Sequence, residues 1–224
     1  MSQTRLAFPL LAVSALLCTG VAHAGLIWDN GGPALNNQGA SNMSDTLQAE
    51  DFQLFVTSDL TSITFWDLQA SSGDYNGSIF WQVVGDSGGA PNDANVIGSG
   101  SATPTQTAQG SILGFLLFQN DFAISLLGVA PGTYWLELHN GPVSNNSFTD
   151  FYWSFADPNT TNGTTNPGQE MYLVGSNPWA TNDNEHAFNI SGNASTANLP
   201  EPGTAWLAAG AITGLILRRR IRKA

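Results

Sequence analysis

The sequence lacks lysine and arginine from residue 6 to residue 217, although acidic residues occur through most of this span. All 6 basic residues lie at the two ends of the chain, the 17 acidic residues lie between Asp29 and Glu201, and the formal net charge is −11. Proteins that bind nucleic acids neutralise phosphates with Lys and Arg, so the central region has no means of binding DNA or RNA in this way. Kinases and NTPases need a Lys or Arg beside the nucleotide phosphates and are excluded for the same reason.

Cysteine is almost absent as well, because Cys18 is the single cysteine of the chain. The region after Cys18 therefore has no disulfide, no thiolate nucleophile and no cysteine-based zinc site. The sequence still contains 42% hydrophobic residues, which is enough for a hydrophobic core. We expect a folded domain that depends on packing and hydrogen bonds.

Residues 1–24 show the pattern of a secretory signal peptide. Arg5 provides the positive n-region, residues 6–17 form the apolar stretch, and Ala22 and Ala24 supply small residues at the cleavage site. The alternative is a buried N-terminal helix, which does not account for the Ala-x-Ala pattern. The sequence thus predicts export through the Sec machinery and a mature chain that begins at Gly25.

The C-terminal residues 200–224 combine three features in a fixed order. A stiff turn comes first, because each proline fixes its own φ and keeps the preceding residue out of the helical region. This turn consists of Pro200, Glu201 and Pro202. The apolar stretch 204–217 follows, and as a helix it is about 21 Å long, shorter than a hydrocarbon core of about 30 Å. A basic run then marks the cytoplasmic end of a short membrane helix. The run begins with Arg218, Arg219 and Arg220.

This arrangement resembles the PEP-CTERM sorting signal of exported proteins in Gram-negative bacteria that make exopolysaccharide. The resemblance implies that the membrane-embedded exosortase recognises the tail and processes the chain near Glu201. It also implies transient anchoring in the inner membrane, followed by attachment at the cell surface or release. In this interpretation Glu201 is a recognition group and has no catalytic role.

The central residues 25–190 show the pattern of an all-β domain. Short apolar and β-branched runs alternate with clusters of Gly, Asn, Asp, Ser and Pro, and no window has a helical period. The predicted strands span 51–57, 62–68, 78–84, 112–119, 122–126, 133–139, 151–155, 171–174 and 187–190. Their number and length predict an antiparallel β-sandwich of jelly-roll type. Trp81 and Trp153 share strand faces with apolar residues and are predicted to lie in its core. The small, polar residues 191–199 are predicted to form a flexible linker.

One segment resembles an enzyme motif. Residues 85–89, Gly-Asp-Ser-Gly-Gly, are similar to the nucleophile segment of chymotrypsin-type serine proteases. That family places its general-base His before the Ser in the chain, and only His23, within the signal peptide, precedes Ser87. His139 and His186 come later and would need another fold. We interpret the segment as a turn after a strand, with no catalytic role.

The predicted strand 133–139 carries the candidate ligand contacts. Trp135, Glu137 and His139 alternate with apolar residues, so they share one face of the strand, which we expect to be exposed. A Trp beside a carboxylate is typical of a carbohydrate contact, because the ring stacks on C–H groups and the acid accepts hydrogen bonds from hydroxyls. The other interpretation is a Trp covered by a loop beside a solvated Glu–His pair.

Calcium is the one ion that the composition favours. Two Asn/Asp-rich segments, 92–95 and 182–185, offer oxygen ligands, although neither matches the EF-hand pattern. Asn and Asp are also common turn formers. The sequence therefore predicts no metal site and no cofactor, with a structural calcium ion as the alternative.

These features predict an exported structural or interaction protein of the cell envelope or extracellular matrix, without enzymatic activity. The expected partners are the Sec machinery, exosortase, the inner membrane and an extracellular polysaccharide. The first alternative is a carbohydrate-binding module for exopolysaccharide. A secreted hydrolase is the second, and the scattered acidic residues do not single out the carboxylate pair that a glycosidase needs.

Overall fold

A computed structural model of the chain describes residues 24–35, 39–158, 168–172 and 178–195. Within these ranges the fold is all-β, as the sequence predicts. No helix in this part of the chain has the length and apolar character to cross a membrane. The predicted signal peptide up to His23, the end of the linker from residue 196 and the sorting segment 200–224 lie outside the described residues.

The described residues form strands that are numbered in chain order. They are β1 (Gly25–Asp29), β2 (Ala40–Asn42), β3 (Thr46–Leu54), β4 (Ser58–Gln69), β5 (Ile79–Asp86), β6 (Pro91–Ala102), β7 (Thr105–Ile112), β8 (Phe115–Val129), β9 (Gly132–Asn140), β10 (Phe151–Ser154), β11 (Gln169–Tyr172), β12 (Ala180–Thr181) and β13 (Phe188–Ala194).

These strands form two sheets, and neighbouring strands within each sheet are antiparallel. Sheet I has the order β1-β13-β4-β10-β2, with β8 also paired to β4 and β7 paired to β8. Sheet II has the order β12-β11-β3-β9-β5-β6. The long central strand β4 carries most of sheet I, because β13, β10 and β8 all bond to it.

The two sheets share one hydrophobic core. Aromatic residues from both sheets meet there: Phe52 of β3 and Phe188 of β13 pack edge to face with ring centroids 6.5 Å apart. Trp81 and Trp153 belong to the same core, which confirms their predicted burial. Tyr134, Leu136 and Leu138 of β9 point into it as well, and burial of such side chains stabilises the fold by about 1.5–3 kcal/mol each.

The predicted strands are confirmed in type and shifted in extent. Strand β3 ends at Leu54, whereas the prediction ran to Thr57. The predicted runs 112–119 and 122–126 fall largely in one long strand, β8, because β4 provides continuous pairing partners across the polar residues between them. The predicted linker at 191–199 is wrong in its first part, since residues 191–194 belong to β13 and pair with β4.

Strands β6 and β7 are the largest elements that the pattern does not predict. Their residues are mostly small and polar, and most of them are exposed. Strand β6 forms because β5 offers an edge to pair with. A Cβ at Gly98 would lie 2.3 Å from Cδ2 of Leu126, so a larger residue at this position would displace the Leu126 side chain. The β7–β8 hairpin turns through Leu113 and Gly114, both with positive φ, which is the geometry of a two-residue type I′ turn.

Candidate functional site

Trp135, Glu137 and His139 lie on the face of sheet II that points away from the shared core, as strand parity predicts. The expected exposure is wrong, because their exposed fractions are 0%, 1% and 0%. Loops and the edge strand β6 cover this face, a tertiary effect that the local sequence pattern does not reveal. The three residues lie in separate environments along β9.

Trp135 is part of a small second core. Its ring packs with Ala49, Val84 and the half-buried Trp179. The indole Nε1 donates a hydrogen bond of 2.9 Å to Oδ1 of Asp86. A buried indole with a satisfied N–H stabilises the fold and leaves no ring face for a sugar to stack on.

Glu137 lies beside a cavity of about 210 Å³ on the same face. Asp93 of β6 also lines it and interacts with the Glu137 carboxyl group. Glu137 Oε1 is buried and has no hydrogen-bond partner. The rest of the cavity wall is mostly apolar and consists of Leu47, Phe80, Gln82, Val143 and Met171.

Burial, and to a smaller extent the nearby Asp93 carboxylate, raise the pKa of Glu137 to about 9. At neutral pH the Glu137 carboxyl group therefore holds its proton. A protonated carboxyl beside a carboxylate donates a hydrogen bond, so the two groups share one proton and one negative charge. The predicted solvated Glu–His pair is wrong on this point as well.

His139 connects the end of β9 to the start of β3. Its Nδ1 lies 2.9 Å from the carbonyl oxygen of Gly141, and its Nε2 lies 3.1 Å from the carbonyl oxygen of Ser44. Burial lowers the pKa of His139, against the opposing effect of these carbonyl groups. Both ring nitrogens face backbone carbonyls, and the neutral ring donates its one N–H to one of them, which links the end of β9 to the segment before β3.

Ser87 lies in the exposed turn between β5 and β6, as the turn interpretation predicts. Its backbone N–H donates to the carbonyl oxygen of Ala90 at 2.9 Å. The Asp86 carboxylate accepts hydrogen bonds from the N–H groups of Gly88 and Gly89, both of which have positive φ. Glycine and aspartate are thus present for turn geometry.

A second polar site brings together three acids that the sequence pattern does not connect. Glu50 and Asp51 of β3 and Glu185, which precedes β13, each offer a carboxylate oxygen, and these oxygens lie within 4.8 Å of one another. We call these three residues the acidic cluster. Glu50 and Asp51 are buried and Glu185 is half-buried. Oxygen ligands of this kind suit calcium among the biological metals.

Glu50 is held in place by His186. Glu50 Oε2 accepts hydrogen bonds from the backbone N–H of His186 at 2.7 Å and from its Nδ1 at 2.8 Å. Desolvation lowers the pKa of His186 to about 3, so the ring is neutral. Asn182 Nδ2 lies 3.4 Å from the other ring nitrogen, which indicates the tautomer with the proton on Nδ1. Burial, and then the Glu185 charge, raise the pKa of Glu50 well above its usual value.

A further buried carboxylate lies in sheet I. Asp67 of β4 accepts hydrogen bonds from the side-chain amides of Gln69 at 2.9 Å, Gln106 at 3.4 Å and Asn120. Burial raises the pKa of Asp67 to about 7, although all three amides act to lower it. The Asp67 carboxyl group thus lies among neutral amide donors. Its hydrogen bonds within the described part of the chain involve no second acid.

The sequence holds a signal for the acidic cluster. Glu50 and Asp51 stand together in the strand Thr46–Leu54, where all other residues except Gln53 are buried. Two adjacent acids inside a buried strand need a structural reason, because charged groups are rarely buried without partners. Of the two predicted calcium-ligand segments, 182–185 contributes Glu185 to this cluster, and 92–95 contributes Asp93 to the cavity beside Glu137.

No known protein family matches this chain, and no characterised protein shows significant sequence similarity to it.

Proposed function

We propose that this protein is an exported structural or interaction protein of the cell envelope or extracellular matrix. In this proposal the signal peptide 1–24 directs Sec-dependent export, and the PEP-CTERM-like segment 200–224 holds the chain in the inner membrane until exosortase processes it. The domain between these two segments acts by binding and performs no chemical reaction.

The separation of charge along the chain carries this proposal. Every Lys and Arg lies before residue 6 or after residue 217, whereas the domain between them is acidic. The β-fold supports the same division, because β1 begins at Gly25 and β13 ends at Ala194. The folded domain therefore fits between the predicted cleavage site and the Pro-Glu-Pro turn.

We also propose that the domain is a β-sandwich of jelly-roll type. Two antiparallel sheets that share one core support the sandwich. The crossing connections between the sheets, such as β3 in sheet II followed by β4 in sheet I, support jelly-roll or Greek-key connectivity.

Two observations favour binding over catalysis in the described region. His139 and His186 are both buried and hydrogen-bonded to carbonyl or carboxylate oxygens. Ser87 lies on an exposed turn, and neither histidine is among its hydrogen-bond partners. Ser87, His139 and His186 thus have structural environments.

Mass spectrometry of the mature protein from its native host tests the delivery part of this proposal. We expect termini near Gly25 and near Pro200. A chain that lacks residues 200–224 should appear in the medium without passing through a membrane-bound form. A mature protein that retains Arg218–Lys223, or an unchanged location of the truncated chain, would contradict the proposal.

Carbohydrate binding remains the second candidate, now at a different place. The cavity beside Glu137 combines the Phe80 ring with the polar groups of Gln82 and Asp93. Glycan-array binding that is lost in Gln82→Ala and Asp93→Asn would favour this function. Loss in Trp135→Ala alone would not, because Trp135 belongs to the second core. A hydrolytic activity that disappears in Glu137→Gln would favour the third candidate, a secreted hydrolase.

A further inference from the structure

The acidic cluster joins parts of the chain that are distant in sequence. Glu50 and Asp51 come from β3 of sheet II, and Glu185 comes from the segment that leads into β13 of sheet I. Their carboxylate oxygens lie within 4.8 Å of one another, with Glu50 0% and Asp51 3% exposed. Repulsion between like charges at such distances is strong away from water. No Lys or Arg occurs between residues 6 and 217 to offset it.

Asn30 provides an independent observation at the same place. Its side chain is 0% exposed and reaches the cluster, since Nδ2 donates to Glu185 Oε2 at 3.4 Å and to the His186 carbonyl oxygen at 2.9 Å. Its carbonyl oxygen Oδ1 is buried and has no hydrogen-bond partner. A buried amide oxygen without a partner costs about 1–3 kcal/mol, so such an atom calls for a ligand.

We propose that Glu50, Asp51, Glu185 and Asn30 bind a calcium ion. All four supply hard oxygen atoms, and Ca²⁺ binds 6–8 oxygens from carboxylates, amide carbonyls, backbone carbonyls and water in flexible geometry. Zinc prefers nitrogen and sulfur ligands, and magnesium retains most of its water, so neither suits a largely dry set of carboxylates as well.

The position of the cluster gives the ion a structural role. Asn30 follows β1, Glu50 lies in β3 and Glu185 precedes β13, so an ion bound to them connects sheet I with sheet II. Such an ion stabilises the folded state, because the unfolded chain does not bring these residues together. This role does not depend on how the chain is delivered, so its failure would leave the proposed function intact, and the reverse also holds.

Thermal unfolding of the full chain with and without calcium tests the site. After removal of metal with EDTA, millimolar CaCl₂ should raise Tm by about 3 °C or more, and MgCl₂ at equal ionic strength should raise it by less than half as much. Glu185→Gln and Asn30→Ala should each remove most of the calcium-dependent shift. Asp183→Asn is the matched control, because Asp183 is an exposed acid two residues from Glu185 and outside the cluster, and it should retain the full shift.

Terbium luminescence provides a second measurement on the unaltered protein. The Trp153 ring packs on His186 with centroids 4.7 Å apart, and His186 bonds to Glu50, so a Tb³⁺ ion in the cluster lies near an indole that can sensitise it. We expect a terbium luminescence signal that falls when calcium displaces the ion. In Glu185→Gln the signal should be at least tenfold weaker. The proposal is wrong if the unaltered protein shows no calcium-dependent Tm shift and no terbium signal. It is also wrong if magnesium acts as well as calcium, which would indicate general screening of the acidic surface.

Discussion

The two sheets bury their carboxylates in different ways. In sheet I, Asp67 receives three hydrogen bonds from neutral side-chain amides. In sheet II, Glu50 lies beside Asp51 and Glu185, and Glu137 lies beside Asp93. Amide donors favour the ionised carboxylate and need no counter-charge, whereas a neighbouring acid requires a proton or a cation between the two groups. Sheet I therefore satisfies its acid internally, and sheet II requires a proton or an ion from solution.

The largest difference between the sheets should appear in Glu137→Gln. The pKa of Glu137 in the folded protein is about 9, above its value in the unfolded chain, so the folded state retains a proton that the unfolded state loses. The stability of the unaltered protein should thus fall, relative to the variant, as pH rises from about 4 to 9. Allowing for solvent in the cavity, we expect roughly 4 kcal/mol over this range, since each pKa unit corresponds to about 1.4 kcal/mol.

Urea unfolding of both proteins at each pH unit measures this effect. The Gln amide can donate to Asp93 as the protonated acid does, so the two proteins should have similar stability near pH 4. Parallel stability curves for variant and unaltered protein between pH 5 and 9 would show that Glu137 ionises freely. The claim that sheet II buries a protonated acid at this position would then be wrong.

Asp67→Asn tests the amide network of sheet I. The pKa of Asp67 is raised to about 7, so stability should again fall as pH rises. The fall should cover a narrower pH range than for Glu137, because Asp67 in the folded protein loses its proton near pH 7. The unaltered protein should lose roughly 3 kcal/mol relative to the variant between pH 4 and 7, and nothing further above pH 8. Urea unfolding at these pH values measures the difference in stability between the two proteins. A difference that keeps growing up to pH 9 would contradict its assignment to Asp67.

Glu50→Ala should destabilise the protein by about 2 kcal/mol in the presence of EDTA. The variant leaves the backbone N–H and Nδ1–H of His186 without an acceptor, which costs more than the relief of repulsion from Asp51 and Glu185. Glu50→Gln keeps an acceptor and should lose less than half as much. Measuring both by urea unfolding without metal separates this contact from calcium binding. Equal losses would show that the hydrogen bonds to His186 do not account for the burial of Glu50.

The smallest effect is expected at the edge of sheet II, where no acid is buried. Ser87→Ala should change stability by less than about 0.5 kcal/mol, because the exposed serine contributes only its backbone N–H to the turn. Gly88→Ala should cost about 1 kcal/mol, since Gly88 has φ 70°. Thermal unfolding of both variants gives the reference against which the buried acids are compared. A larger loss in Ser87→Ala would show that the side chain has a role.

The strands with apolar and β-branched patterns were predictable, and so were the faces of β9. Tyr134, Leu136 and Leu138 point into the core and Trp135, Glu137 and His139 point away, as period-two alternation requires. The edge strand β6 was not predictable, because its residues favour turns and become a strand only by pairing with β5. The acidic cluster was not predictable either, because Glu185 is more than 130 positions from Glu50 and Asp51 in the sequence.

By itself, the sequence determined the β class, the absence of disulfides and phosphate-binding cations from the central region, and the alternation that divides each strand into two faces. These properties depend on composition and on neighbours one or two residues away. Only the tertiary structure decided which of those faces meets water and which acids meet one another. Both depend on segments that are distant along the chain and come together when the sheets close over a common core, and the carboxyl groups of Glu50, Asp67 and Glu137 lose water as a result.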